Sequence, residues 1–338
     1  LALPTITAQV VNLLYSIVDR IYIGRIPLEG KLALTGMGVT FPVITLISAF
    51  AALIGMGGAP RASIALGARE HDRAERILGT CTAALWALAL VLTALFLLFQ
   101  APLLRLFGAS ADTLPYAMQY LNLYVLGTVF VMTSLGLNGF ITAQGRSSVA
   151  MKTVVIGAVL NTVLDPLFIF VFHMGMAGAA LATITGQILS FALVVFYLRG
   201  FKTLPLSLSD LKPNMACWAR IAALGATPAF NQVAMMVVQI VMNNTLTYYG
   251  SNSVYGSDIP LACAGIISKV NMLFFSFVIG ISQGLQPIVS FNFGAQKYDR
   301  VKDAYKKAVF AATAISIVAF LCFQFFPRQI IGIFGSGS

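Results

Sequence analysis

The chain has 338 residues, of which 59% are apolar and 9% are charged, and its mean hydropathy is +0.88. A soluble domain carries about 25% charged residues, so this composition has too few polar side chains to cover a water-exposed surface. It excludes a soluble globular protein and indicates an integral membrane protein. The formal charge of +10 does not indicate a nucleic-acid partner, because the basic residues are scattered between apolar runs.

Nine apolar segments follow one another along the chain, and each is long enough to cross a bilayer as a helix of about 20 residues. They cover residues 1–24, 33–66, 77–107, 114–143, 149–172, 175–198, 217–249, 259–293 and 304–326. Runs of this length exclude the ten-residue strands of a membrane barrel. Pro42 and the glycines around Gly57 predict one bent helix in the second segment, not two short ones. We expect an all-α fold with about nine transmembrane helices.

The connections between these segments differ in basic charge. One alternate set, around residues 67–76, 144–152, 199–220 and 294–307, holds fourteen Lys and Arg residues, and the opposite set holds four: Arg25, Lys31, Arg105 and Arg328. Because cytoplasmic loops of membrane proteins carry the Lys and Arg excess, the first set is predicted to be cytoplasmic. The start of the first segment then lies in the cytoplasm too.

Energy-coupling and metal-binding motifs are missing from the sequence. There is no G-x-x-x-x-G-K-[ST] motif, and His71 and His173 belong to no metal-ligand or catalytic spacing. Four cysteines, Cys81, Cys217, Cys263 and Cys322, lie in or beside apolar runs without C-x-x-C spacing, which favours buried thiols over a zinc site or a disulfide. We expect no enzyme activity, so any transport must draw on an ion gradient or on the substrate's own gradient.

An internal repeat predicts the architecture. At an offset of 227 residues, Gly57, Pro60, Ser63, Gly67, Ala68, Asp72 and Arg73 align with Gly284, Pro287, Ser290, Gly294, Ala295, Asp299 and Arg300. Such self-similarity indicates a duplication. Both copies place their basic loop after an even-numbered segment, so they have the same orientation and an axis along the membrane normal relates them. Two parallel six-helix lobes follow.

The second copy is shorter than the first. It stops at Ser338, which is equivalent to Ala111, whereas the first copy continues through three more segments. We therefore expect residues 1–213 to form an amino-terminal six-helix lobe with its connecting loop. Residues 214–338 are expected to hold the first three helices of a carboxy-terminal lobe, in a chain truncated at its carboxy end.

Two acidic residues lie well inside apolar segments, where an ionised group costs several kcal/mol and is a functional candidate by default. They are Asp19 and Asp165, and each has a polar residue one turn before it, Tyr15 and Asn161 respectively. A carboxylate, an amide oxygen and hydroxyls form a hard-oxygen set suited to Na⁺ or to a proton on the carboxyl. The alternatives are an Asp19 neutralised by a basic group at a helix end and an Asp165 that satisfies backbone donors at a proline kink.

Other intramembrane residues allow two interpretations. Lys269 is a third charge inside a segment, but a lysine can extend to an interface. Methionines and phenylalanines such as Met235 and Phe275 either line an adaptable cavity or simply pack. The tentative substrate cavity comprises Tyr15, Tyr120, Gln232, Met235 and Lys269.

At these motifs the sequence resembles the MATE family of multidrug and toxic-compound exporters, in particular its bacterial members. The likeness is carried by YSIVDRIYIGRI, GAPRASIALGAREHDRAERILG, NGFITAQGRSSVAMKTVVIGAVLNTVLDPLFIF, GMAGAALATITGQ and GISQGLQPIVSFNFGAQKYDRVKDAYKKA, and covers essentially the whole chain. The resemblance implies a twelve-helix fold of two lobes around a central cavity. It also implies cation-coupled antiport by alternating access.

The resemblance further implies a coupling site in the amino-terminal lobe. The matching positions are Asp19, Asn138, Asn161, Asp165 and Thr183, with Tyr15 and Tyr120 nearby. The coupling ion is Na⁺ or H⁺, and no other metal or cofactor is expected. The seventh to ninth segments hold no clear intramembrane acid. The expected substrates are organic, mainly cationic compounds, carried by a monomer in the bacterial plasma membrane.

Two rival functions remain open. A flippase for lipid-linked precursors should place several Arg or Lys in its cavity, and only Arg61 and Lys269 are candidates here. A membrane scaffold that transports nothing has no need of two intramembrane aspartates.

Overall fold

The computed structural model describes residues 1–27, 29–200, 204–206, 211, 215–252 and 258–329, without the side chains of residues 247, 258–262 and 266. Within these ranges the chain forms ten α-helices and no strand. They are α1 (Ala2–Gly24), α2 (Gly30–Gly67), α3 (His71–Leu106), α4 (Leu114–Leu126), α5 (Thr128–Ala143), α6 (Ser147–Pro166), α7 (Gly175–Gly200), α8 (Met215–Ser251), α9 (Asp258–Gly294) and α10 (Tyr298–Phe325). A π-helical stretch, Leu167–Val171, continues α6.

The all-α membrane fold is confirmed. Each predicted segment corresponds to one helix or one helix pair, and α2 is a single helix that contains Pro42 and Pro60. Within the described part of the chain, seven helices are long and apolar enough to cross a membrane, or eight if the bent α4–α5 pair counts as one span. Together with the 23-residue α1, these make nine helical units in the described chain. α1 is not among the seven apolar helices because it contains polar residues, including Gln9, Asn12 and Asp19.

The fourth segment differs from the prediction of one uninterrupted apolar run. It breaks at Gly127 into α4 and α5, which are bent by 59° relative to each other. Gly127 lies against the Ile184 side chain of α7, which would have to move to admit a larger residue. The absence of a side chain therefore lets the chain turn while it stays packed on α7.

The core is formed by α2, α3, α4, α5 and α7. Fully buried apolar side chains such as Leu85, Leu121, Leu137 and Phe140 fill the space between these helices. The long α2 also packs against α8 and α9, so it connects the first seven helices to the last three.

Glycines make the closest contacts at this junction. Gly67 at the end of α2 lies against the backbone carbonyl of Phe291, and Gly294 at the end of α9 lies against that of Ile64. Gly67 and Gly294 are repeat equivalents, and so are Ile64 and Phe291, so the contact is reciprocal. Both contacts lie at the carboxy ends of α2 and α9, so these two ends lie on the same side of the protein, in agreement with the predicted parallel arrangement of the lobes. The predicted boundary at residue 213 lies outside the described residues and stays a prediction.

Hydrogen bonds across the junction lie near the same ends of the helices. The hydroxyl of Thr5 donates to the carbonyl of Gly280 at 2.6 Å, and that of Ser63 donates to the carbonyl of Pro287 at 3.2 Å. The Gln9 amide Nε2 donates to Oε1 of Gln283 at 2.9 Å. The two parts of the chain are therefore joined at the side of the basic α2–α3 and α9–α10 turns.

The first prediction concerns topology. Single cysteines at Arg73 and Arg300, in a background without the native cysteines, should both react with an impermeant maleimide from the cytoplasmic side, because both turns carry the basic excess. Arg105→Cys, at the opposite end of α3, is the control and should react from the other side. Labelling of the first two positions from opposite sides would show that the repeat is inverted.

The second prediction concerns the glycine junction. Gly67→Ala places a methyl group against the Phe291 carbonyl and should cost about 1–3 kcal/mol through overpacking, which lowers the Tm of the purified protein. Gly294→Ala should have the same effect. Gly38→Ala is the matched control within α2, since open space surrounds Gly38. Equal Tm values for all three variants would show that the junction is loosely packed.

Candidate functional site

Two buried carboxyl groups lie together between α1 and α6. Asp19 is 3% exposed and Asp165 is 0% exposed, and their side chains interact directly across the helix pair. The neighbouring Arg20 is exposed and forms no ion pair with Asp19 within the described residues, but its positive charge acts on Asp19, so the helix-end alternative stays a prediction. The sequence prediction that these two acids form half-sites of one cluster agrees with this geometry.

Asn161 links the carboxyl pair to α7. Its amide Nδ2 donates to Oδ1 of Asp165 at 3.4 Å and to the hydroxyl of Thr183 at 3.3 Å. One turn earlier, Gly157 of α6 faces Gly186 of α7, and the absence of side chains lets the two helices approach closely. This close approach brings Thr183 within reach of Asn161.

The end of α6 is irregular next to Asp165. Pro166 directly follows Asp165 as the last residue of α6, and the chain continues as the π-helical stretch Leu167–Val171. Such stretches often occur at functional sites. The hydrogen bond described for the Asp165 carboxylate is the one from the Asn161 side chain, so the kink alternative, in which backbone donors satisfy it, lacks support in the structure.

Three acceptor atoms in this cluster have no hydrogen-bond partner. They are Oδ1 of Asp19, Oδ1 of Asn161 and Oδ2 of Asp165, and all three are buried. A buried acceptor without a partner costs about 1–3 kcal/mol, and a charged one costs more. Two adjacent carboxylates also repel each other. A cation or a proton placed between these oxygens would remove both penalties.

Tyrosines surround the pair. Tyr15 lies one turn before Asp19 on α1, and the buried Tyr120 of α4 places its hydroxyl beside that of Thr183. Tyr120 stacks on Tyr124 with ring centroids 5.9 Å apart and an interplanar angle of 16°. Sequence reasoning missed Tyr124, although its spacing of four residues from Tyr120 places both rings on one helical face.

Asn138 lies apart from the carboxyl pair. Its amide donates to the carbonyl of Ala150 at 3.1 Å and to the hydroxyl of Thr153 at 2.7 Å. Twelve residues separate Thr153 from Asp165 on α6, which is about 18 Å along a helix. The expected grouping of Asn138 with the two acids is therefore not what the structure shows.

A cavity of about 210 Å³ adjoins the cluster, with walls from α1, α2, α5, α6, α7 and α9. One water needs only about 10–15 Å³, so the cavity has room for many waters or a small organic solute. Its described lining contains no charged side chain. Instead it contains seven amides: Gln9, Asn12, Asn138, Asn161, Gln187, Gln283 and Gln286.

The tentative substrate residues divide into two groups. Tyr15 lines the cavity, and Tyr120 lies next to it beside Thr183. Gln232, Met235 and Lys269 are outside the lining, and the last two are exposed on α8 and α9. Their predicted place in a substrate cavity stays a prediction, because periodicity does not show which face of a membrane helix points to the protein interior. Amides inside apolar segments were the signal that would have found the actual lining.

The site predicts an unusual effect on stability. Asp19→Asn gives Oδ2 of Asp165 an amide donor and removes the repulsion, so it should raise the Tm in sodium-free buffer above neutral pH. A gain of 1 kcal/mol corresponds to about 2–4 °C in mid-sized domains. Asp112→Asn, in an exposed turn, is the control and should leave the Tm unchanged. A lower Tm for Asp19→Asn alone would show that Asp19 makes a stabilising contact.

Comparison with known proteins agrees with this architecture. Multidrug export protein MepA of Staphylococcus haemolyticus is 27% identical over 337 residues, which cover 99% of this chain and 72% of that protein. MepA of Staphylococcus aureus (strain MSSA476) is 24% identical over 334 residues, with 98% and 72% covered. The chain thus spans about 72% of the length of these relatives.

Solved structures share the fold. An outward-facing multidrug resistance MATE family transporter of the MOP superfamily superposes with a TM-score of 0.89 at 23% identity, covering 99% of this chain and 73% of that one. A MOP superfamily transporter from Pyrococcus furiosus gives 0.90 at 23% identity, covering 100% and 74%.

A family model gives the assignment. The MatE model matches residues 4–167 and 229–338, which together include both copies of the repeat and both buried aspartates. The chain therefore belongs to the MatE family of transporters.

Proposed function

We propose that this protein is a secondary active antiporter that exports drugs or other organic compounds in exchange for Na⁺ or H⁺ by alternating access. One observation carries the proposal: three buried acceptor atoms on Asp19, Asn161 and Asp165 lack donors at the edge of an amide-lined cavity. The names of the Staphylococcus relatives, which describe multidrug export, agree with it.

The donor set fits a small hard cation. Carboxylate, amide and hydroxyl oxygens are the ligands that such ions prefer in proteins. Asp19, Asp165, Asn161 and Thr183 would hold Na⁺, or the carboxyl pair would hold a proton. Either one supplies the positive charge that the two carboxyl groups lack within the described residues.

Cation binding and substrate binding can be coupled because the carboxyl cluster and the cavity share residues. Asn161 and Thr183 belong to the carboxyl cluster and also line the cavity. A change of cation occupancy therefore acts on the same side chains that a substrate touches. A ligand can shift an equilibrium between two lobe arrangements only by its different affinity for each.

Alternating access requires the lobe junction to open. On the side of the basic turns, Thr5, Gln9 and Ser63 form hydrogen bonds to α9, and glycines of α2, α8 and α9 make close backbone contacts. A hydrogen bond contributes only about 0.5–1.5 kcal/mol net, so these bonds can be exchanged for others when the junction opens.

The cavity supports an organic cation or a neutral organic solute as substrate. Its lining combines amides with apolar side chains such as Met56 and Val154, and it includes Tyr15, Asn161 and Thr183, which lie beside the two acids. Among the described residues it has no Arg or Lys: Arg61 lines a different pocket and Lys269 is exposed on α9. This lining argues against a flippase for anionic headgroups, and two buried carboxyl groups argue against a scaffold.

Asp165→Asn tests the proposal. The change preserves shape but removes the charge that responds to Na⁺ or H⁺, so the protein should fold while gradient-driven efflux falls to the level of empty liposomes. Dye efflux from proteoliposomes of the full-length protein is measured under an imposed Na⁺ gradient and, separately, under a pH gradient. The gradient that drives the unmodified protein identifies the coupling ion.

Two controls separate coupling from folding. Asp112→Asn, outside the site, should keep full efflux, and monodispersity and drug affinity are measured for each variant. Drug affinity of Asp165→Asn should no longer depend on Na⁺ or pH. Normal gradient-driven efflux by Asp165→Asn would contradict the proposed site, and no efflux by the unmodified protein under either gradient would contradict antiport.

A further inference from the structure

A second pocket lies at the end of α2, away from the carboxyl cluster. It is open, has a volume of about 820 Å³, and is walled by the α2–α3 turn on one side and by the start of α8 on the other. Five arginines line it: Arg61, Arg69, Arg73, Arg76 and Arg220. Among the described residues the only acids in the lining are Glu70 and Asp72, so the described lining carries a surplus of positive charge.

Most of this charge has no acidic partner. Within the described residues, only Arg73 of the five forms an ion pair, with Glu70 at 2.7 Å, and both side chains are largely exposed. Arg76 donates to the backbone carbonyl of Asp72 at 3.2 Å. The Nε atom of Arg61 is buried and has no hydrogen-bond partner. A buried guanidinium donor without an acceptor is costly, so Arg61 favours a negatively charged partner in this pocket.

The fold holds two of these arginines close together. Gly57 of α2 lies against the carbonyl of Ile221 on α8, which is a closer approach than any other residue permits. Arg61 follows Gly57 by one helical turn, and Arg220 directly precedes Ile221. This close contact between α2 and α8 therefore brings like charges from the two lobes to the same pocket. Like charges at a packed interface destabilise it unless an anion lies between them.

The depth of the pocket suits the membrane boundary. Arg61 lies six residues before the end of α2, about 9 Å along the helix, whereas Arg69 lies in the turn beyond it. The pocket thus extends from the loop down to the level at which lipid headgroups lie. The charge bias of the loops predicts that this is the cytoplasmic side.

We propose that this arginine pocket is a binding site for a negatively charged phosphate group, supplied by the headgroup of an acidic phospholipid or by a free phosphate compound. Arginine forms paired, charge-assisted hydrogen bonds with phosphate oxygens, and several arginines can share one phosphate. Because Arg61 and Arg220 come from different lobes, the bound phosphate bridges them and stabilises the arrangement in which α2 touches α8. The site is distinct from the export cavity, and its test needs no transport.

Binding is measured with the purified full-length protein in a neutral detergent. The probes are dioctanoyl phosphatidylglycerol, dioctanoyl phosphatidylcholine and inorganic phosphate, each titrated separately, followed by competition of inorganic phosphate against phosphatidylglycerol. The unmodified protein should bind the acidic lipid at least tenfold more tightly than the zwitterionic one. Competition by inorganic phosphate identifies the phosphate alone as the ligand, and its failure to compete identifies the lipid.

The variant Arg61→Gln/Arg220→Gln should weaken binding of the acidic probe at least tenfold. Arg300→Gln is the matched control, because it is the repeat equivalent of Arg73 and lies outside the pocket. It should bind as the unmodified protein does. Unchanged binding in the double variant, equal affinity for the two lipids, or no binding of any probe would overturn the proposal.

A second measurement keeps the arginines in place, in case the double variant fails to fold. Cys217 lines the same pocket and is half-buried. In a protein whose other cysteines, Cys81, Cys263 and Cys322, are replaced by alanine, the acidic probe should slow maleimide labelling of Cys217 several-fold. Phosphatidylcholine should not. Equal labelling rates with and without the acidic probe would overturn the proposal independently of any arginine variant.

Discussion

A polar group inside a membrane must find its partner within the protein, and this constraint governs most of the structure. It makes the described chain helical, since helices satisfy their own backbone groups. It also concentrates the polar side chains of the spans around one interior cavity, where amides such as Gln9 and Gln283 bond to each other. The cluster of Asp19, Asn161 and Asp165 departs from this rule, and its unpartnered oxygens are where we propose that a cation or proton binds.

Glycine contacts determine how the helices meet. Gly157 and Gly186 bring α6 and α7 together and so join Asn161 to Thr183, while Gly67 and its equivalent Gly294 join the two lobes. In lipid, helix association depends on close packing and not on the hydrophobic effect, so small residues decide which surfaces touch. The glycines that position the carboxyl cluster and the lobe junction therefore act through packing alone, since they have no functional side chain.

Two clusters of like charge lie in different parts of the molecule. The negative one, the carboxyl pair, is buried between α1 and α6, and the positive one, the arginine pocket, lies at the end of α2 where α8 crosses it. Each has a buried polar atom without a partner, on Asp165 in the first and on Arg61 in the second. A cation or proton and an anionic phosphate are the ligands we propose for them. The arginine pocket adjoins the contact between α2 and α8, whereas the carboxyl pair lies between α1 and α6.

The sequence by itself determined the membrane class, the helical segments, the repeat and the two intramembrane acids, because hydropathy, self-similarity and the cost of a buried charge are local properties of the chain. Only the tertiary structure decided which side chains meet. It placed Asn138 on Thr153, away from Asp165, and left Lys269 on an exposed face. It also brought Arg61 and Arg220, from distant parts of the sequence, to one pocket. Which side of a membrane helix faces the protein interior depends on how the helices pack. Periodicity and composition do not encode this packing when apolar residues surround the helix.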